Sequence, residues 1–176
     1  MPTPNERAQA GLFLALLCNA AGQSFLNVVL PPLGRRLGFS DLQTGLILSV
    51  SALLLMLTAA AWGYASERIG RRPVTLIALS AATMAPFAFA LTVAGNAAGA
   101  LANGLTLMLF FGIRSLQTTM SSGLLPAAQA YVADTTTIDK RAGGMGVIGA
   151  AYGFGAVAGA ALDRKSTRLN SSHLVI

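Results

Sequence analysis

Apolar residues fill this chain in long blocks, and the few charges fall between them. Thr44–Trp62 and Pro73–Asn103 carry no charge. A run of this kind reads as a membrane-spanning helix, which needs about 20 apolar residues. The same pattern predicts a first span over Gly11–Leu30, ended by Pro31 and Pro32. It predicts a second over Thr44–Trp62 and a third over residues 73–93, with Pro73 in the first turn and Pro86 as a bend. A fourth runs over residues 104–133, and a fifth begins at Ala142 and reaches Leu162. The fourth would be about 45 Å long at about 1.5 Å per residue. That exceeds the roughly 30 Å hydrocarbon core, so it must tilt or bend, and Pro126 is the expected place. The connections are Gly34–Gln43, Gly63–Pro73, Gly95–Asn103 and Thr135–Arg141. The first run is too long for the core of a cleaved signal peptide and is read as a retained helix. The expected fold is an all-α polytopic membrane bundle.

Polar residues inside these spans are periodic. Asn19, Gln23 and Asn27 fall at i, i+4 and i+8, one helical face. Arg114, Gln117, Thr118 and Ser121 fall at i, i+3, i+4 and i+7, again one face. Amides facing lipid are unfavourable, so the first face is expected to look inward, lining a cavity or bonding a neighbouring helix. A charge buried in a membrane helix marks a functional site by default, although a structural arginine held by carbonyls and amides is the alternative for Arg114. The fifth run is dense in glycine. Gly149-x3-Gly153 and Gly155-x3-Gly159 suit close helix approach.

Composition agrees with the membrane reading. The chain is 54% hydrophobic and 10% charged, and its mean hydropathy is +0.64. A soluble domain would carry roughly 25% charged residues. The formal charge of +6 does not point to nucleic acid, because no basic run is interleaved with stacking aromatics. It reflects loops on the cytoplasmic side. Arg7, Arg68, Arg71, Arg72, Lys140 and Arg141 fall on one side of the predicted spans, against Arg35 and Arg36 on the other. The N-terminus is therefore expected in the cytoplasm. Cys18 is the single cysteine and His173 the single histidine. An internal disulfide, a zinc site and a Cys–His nucleophile pair all lack material. No cofactor is expected, and no constellation suggests an enzyme.

The charged knot between the second and third spans reads G-Y-A-S-E-R-I-G-R-R. Gly63, Glu67, Arg68, Gly70, Arg71 and Arg72 match G-x-x-x-(D/E)-R-x-G-(R/K)-(R/K). This resembles the loop between the second and third helices of major facilitator superfamily transporters. Arg114, Gln117, Pro126 and Asp134 are similar to the pattern of that family's fourth helix, with Thr118 where a glycine is usual. Gly146, Gly155 and Gly159 resemble the first part of G-x8-G-x3-G-P-x2-G-G, the fifth-helix pattern of the family's drug–proton antiporters. Ala160 stands in place of its proline.

The resemblance implies a fold and a function. Residues 1–162 would be the first four helices and most of the fifth of a twelve-helix carrier, each half built from inverted repeats. A cavity near the midplane would be lined by Asn19, Gln23, Asn27, Arg114, Gln117 and Ser121, with Arg114 as the coupling or substrate-charge residue. Glu67, Arg68, Arg71 and Arg72 would latch the cytoplasmic side, Asp134 pairing with them through Arg71. The implied activity is proton-coupled efflux of a small amphipathic compound or drug. Uptake of a sugar or metabolite is the alternative within transport, and a membrane scaffold or receptor is the alternative outside it. The implied partners are a small-molecule substrate, protons, the lipid bilayer and the C-terminal half of the same protein. The implied location is the bacterial inner membrane.

The glycine pattern fails at Asp163 and Arg164, where two further glycines are expected. From there D-R-K-S-T-R-L-N-S-S-H resembles the in-frame translation of a sequencing-library adapter. Residues 163–176 are therefore expected to be non-native and to pack against nothing in the membrane body.

Overall fold

A computed structural model describes the backbone of residues 4–171 and the side chains of residues 10–161. Six helices follow one another, with no strand among the described residues: α1 (Pro4–Arg36), α2 (Asp41–Ile69), α3 (Arg71–Ala97), α4 (Asn103–Ser121), α5 (Leu124–Thr135) and α6 (Ile138–Ser171). Residues 10–36, 41–69, 71–97 and 138–161 are long and apolar enough to cross a membrane. The helices expose large apolar side chains, among them Met56, Leu76, Phe87, Leu91 and Met108. In a bilayer such surfaces can meet lipid or further helices, where apolar exposure carries no penalty. The expected behaviour of residues 163–176 lies outside the described side chains.

Three boundaries differ most from the sequence reading; the connections expected at Gly95–Asn103 and Thr135–Arg141 are also shorter, at residues 98–102 and 136–137. Pro31 and Pro32 do not end α1; both lie inside it. A proline forfeits its own hydrogen bond and crowds the carbonyl four residues back, yet a helix stops only where the chain can turn away. Here that place is Gly38, at φ +80°. Gly38 N–H donates to Arg35 O and Phe39 N–H to Gly34 O, the two bonds of a Schellman cap. The connection to α2 is thus Leu37–Ser40, shorter than the expected Gly34–Gln43. Ser40 and Gln43 then cap α2 reciprocally, each side chain bonding the other's backbone N–H.

The second difference is the charged knot, which is almost wholly helical. Only Gly70 separates α2 from α3. Its φ of +94° and ψ of 158° belong to a region open essentially to glycine alone.

The third is the fourth span. It is two helices, broken at Ser122–Gly123 rather than bent at Pro126. The proline is still the cause: its ring opposes the carbonyl of Ser122, four residues earlier, and it has no N–H to offer there. Gly123 fits the break because an added Cβ would meet Val74 Cγ1 at 2.9 Å and Trp62 Cγ at 3.0 Å.

The chain divides into two compact units. Pro31–Thr135 forms one, and the residues up to Leu30 with those from Thr136 onward form the other. In the first, Phe110 is fully buried, with Phe89 at 4.9 Å and Phe39 at 5.7 Å, both edge-on. Such pairs add about 0.5–1.5 kcal/mol beyond burial. At that end Asn96 Nδ2 donates to Leu101 O, Asn103 Oδ1 and Thr106 Oγ1, closing the hairpin between α3 and α4. Val74 and Ala78 of α3 and Leu124 and Ala128 of α5 fill the other end.

In the second unit, α6 lies against α1 through two glycines. A Cβ on Gly155 would strike Leu17 O and come within 2.9 Å of Ala20 Cβ; one on Gly159 would strike Ala21 O. Gly146, Gly149 and Gly153 meet nothing within 4 Å. Close approach therefore belongs to the 155/159 pair, and the expected role of the 149/153 pair is not seen among the described residues.

Candidate functional site

The helical spacing of α4 puts Arg114, Gln117, Thr118 and Ser121 on one buried face, at 4%, 3%, 2% and 4% exposure. Arg114 Nη1 donates to Gln117 Oε1 at 2.9 Å. Ser121 Oγ lies 3.4 Å from Thr118 O, a weak contact. A guanidinium offers five donors in a planar fork and no acceptor, so this face can bind an anionic or strongly accepting edge. A shallow apolar groove of about 140 Å³ runs between α3 and α4 and borders Gln117. It is too small for a drug-sized molecule, which needs about 300 Å³ or more. The polar face, not the groove, is the candidate site.

Asn19, Gln23 and Asn27 belong to α1, in the other compact unit. Their environments differ. Asn19 is buried, Gln23 half-buried and Asn27 exposed. Asn19 Oδ1 is buried without a hydrogen-bond partner among the described residues.

The second cluster surrounds Gly70. Arg71 Nε stands 3.3 Å from Asp134 Oδ2. Arg71 Nη1 also donates to Ser66 Oγ at 2.6 Å, and Ser66 Oγ donates to Gly63 O at 2.7 Å. One arginine in the first turn of α3 thus ties the end of α2 to the end of α5. Glu67, Arg68 and Arg72 are exposed, and Arg68 lies over the Tyr64 ring at 4.7 Å. Among the described residues Arg71 makes the ion pair to Asp134, and the other three loop charges do not.

Sequence reasoning missed three residues of this region. Ser66 is an unspecified position of the loop pattern, yet it is 1% exposed and supports Arg71. Thr58 Oγ1 lies 2.8 Å from Ser122 Oγ, and Trp62 Nε1 donates to Thr119 O at 2.6 Å. Both bonds brace the α4–α5 break from α2. Thr58 and Trp62 are four apart on α2, which puts them on one face. That spacing was visible, but nothing in the sequence showed where the break would fall.

Comparison with known proteins is consistent with this geometry. The Major Facilitator Superfamily profile matches residues 12–163. The chain is 34% identical over 161 residues to the class D tetracycline resistance protein of Salmonella ordonez, covering 90% of this chain and 37% of that one. It is 30% identical over 158 residues to the class B protein of Escherichia coli, covering 88% and 36%. It is 25% identical over 155 residues to multidrug resistance protein 2 of Bacillus subtilis (strain 168), covering 86% and 36%. The chain therefore spans little more than a third of the length of these relatives. No solved structure matches. With the loop motif, the buried arginine and the matched profile in agreement, this all-α, multi-pass membrane chain belongs to the Major Facilitator Superfamily.

Proposed function

We propose that the protein is a secondary active carrier that exports a small amphipathic compound in exchange for protons. The carrying observation is Arg114, a guanidinium on α4 buried to 4% exposure and bonded to Gln117. A chain with 10% charged residues does not place one at depth without use. The names of the relatives, tetracycline and multidrug resistance proteins, support export and a drug-like cargo.

In this reading Arg114, Gln117 and Ser121 bind the polar edge of the cargo, and Asn19, Gln23 and Asn27 are a second polar set, on α1. Arg71 and Asp134 hold one end closed in one conformational state. The count of basic residues supports a cytoplasmic Gly70 turn and N-terminus, in a bacterial plasma membrane. Within residues 1–162 the acids are Glu6, Asp41, Glu67, Asp134 and Asp139, all at or near helix ends. The proton-carrying carboxylate is then expected from the remainder of the complete protein. Residues 163–176 are excluded from the functional reading as non-native.

The test is tetracycline accumulation in an efflux-deficient bacterium expressing the complete gene. Accumulation should fall, and a protonophore should restore it. Unchanged or increased accumulation of tetracycline and of a panel of amphipathic drugs overturns the reading.

A further inference from the structure

The α4 face holds a fourth polar group with no assigned role. Seven helical threonines, at positions 44, 58, 75, 83, 92, 106 and 135, donate their hydroxyl to the carbonyl four residues back, at 2.6–3.2 Å. This is the ordinary way a threonine satisfies itself in a helix that offers it no other partner. Thr118 and Thr119 do not do so, and of the two only Thr118 is buried. Its Oγ1 is buried without a hydrogen-bond partner among the described residues, although the residue is 2% exposed. Leaving such a hydroxyl unmade is costly, and the local remedy used elsewhere in this chain is one rotamer away. Thr118 also follows Gln117 directly, one helical turn from Arg114 and from Ser121 on the same face.

We infer that Thr118 is a specificity-determining residue of the Arg114 site, its hydroxyl kept for a hydrogen bond to the cargo. The inference rests on the proposed function and narrows the cargo. The face offers a cation, an amide and two hydroxyls within two helical turns. It suits a ligand whose polar edge carries an anionic or enolic oxygen beside a second oxygen or nitrogen, on an apolar frame. A ligand with a single charged point and no adjacent hydrogen-bonding group would leave Thr118 unmet. A site built to bond such a group discriminates strongly against analogues that lack it.

The experiment compares Thr118→Val and Thr118→Ser with the unaltered sequence in the complete, purified transporter. Tetracycline is the probe, and its Kd is measured alongside thermal unfolding of the unliganded protein. Thr118→Val nearly keeps the shape and removes the hydroxyl. Its unliganded Tm should hold or rise, because a buried unpaired group is lost. Its Kd should weaken roughly three- to tenfold, the effect of one neutral hydrogen bond. Thr118→Ser should keep the Kd within about twofold, since it keeps the hydroxyl. A valine variant with unchanged Kd overturns the inference, as does a valine variant whose Tm falls, which would show the hydroxyl paired inside the protein. If the unaltered protein binds neither tetracycline nor any other drug of the panel, the failure lies with the proposed function itself.

Discussion

Arg71 Nε lies 3.3 Å from Asp134 Oδ2, and this pair joins the first turn of α3 to the last turn of α5. The side chains are 24% and 59% exposed, so the pair is screened and its worth to stability is about 0–1 kcal/mol. Under the proposed function its use is to favour one state over another, not to hold the fold. Asp134→Asn is expected to move the Tm little and to change the transport rate severalfold. The exchange Arg71→Asp with Asp134→Arg should recover part of that rate. Wild-type transport by Asp134→Asn would remove the latch from the mechanism.

The two glycines of α6 that touch α1 should be far less tolerant than their neighbours. At Gly159 an alanine methyl would press on the Ala21 backbone, its oxygen and its Cα at 3.0 Å, and backbone cannot swing aside as a side chain can. Gly159→Ala and Gly155→Ala are each expected to destabilise by about 1–3 kcal/mol. Gly149→Ala meets open space and should stabilise by about 0.5–1 kcal/mol through helix propensity. Thermal unfolding of the three variants in one detergent checks the order. Equal effects at all three positions would contradict it.

These positions also show what the sequence could reveal. Charge-free runs revealed four helices long and apolar enough to cross a membrane, whereas the expected span over residues 104–133 is divided into α4 and α5 and is not among them. The i, i+3, i+4 spacing placed Arg114, Gln117, Thr118 and Ser121 on one face, as the structure has them. Those signals are local and periodic. The end of α1 was misread because a proline is visible in sequence, while a helix stop needs a cap, and Gly38 supplied it seven residues after Pro31. The α6 glycines at 146, 149, 153, 155 and 159 looked alike because which of them meets α1 depends on packing, which is not encoded at any one position. Likewise, no pattern marks Ser66 or Trp62, whose partners lie at the other side of a turn or on another helix.

The break between α4 and α5 should depend on α2. Gly123→Ala is expected to cost about 1–3 kcal/mol, because its methyl would crowd Val74 Cγ1 and Trp62. Trp62→Ala opens that space and also deletes the bond to Thr119 O. The double variant should therefore be more stable than the two losses added together, since one substitution relieves the other's clash. Strict additivity in thermal unfolding would show that the two residues do not meet.

Arg114 carries the heaviest expectation. Truncation to alanine removes the positive charge from the α4 face and the bond to Gln117 Oε1. If the residue were only structural, alanine would lower expression and stability together with activity. If it binds cargo or couples protons, transport alone should fall. Arg114→Ala in the complete protein is therefore expected to insert and unfold much as the unaltered protein does while losing transport by at least about 100-fold, a loss of the size that follows from removing a charged interaction of about 3 kcal/mol. Arg114→Lys restores a charge but not a planar fork, so it should recover a minority of the rate. Lysine also presents a compact, strongly hydrated ammonium to a buried site, which works against full recovery. Gln117→Leu removes one acceptor while leaving the charge, and should weaken cargo binding by roughly three- to tenfold without abolishing transport. The three variants are read together by tetracycline accumulation, membrane abundance and Tm. An alanine variant that transports at the wild-type rate would make Arg114 a structural residue and would take the coupling role away from this face of α4.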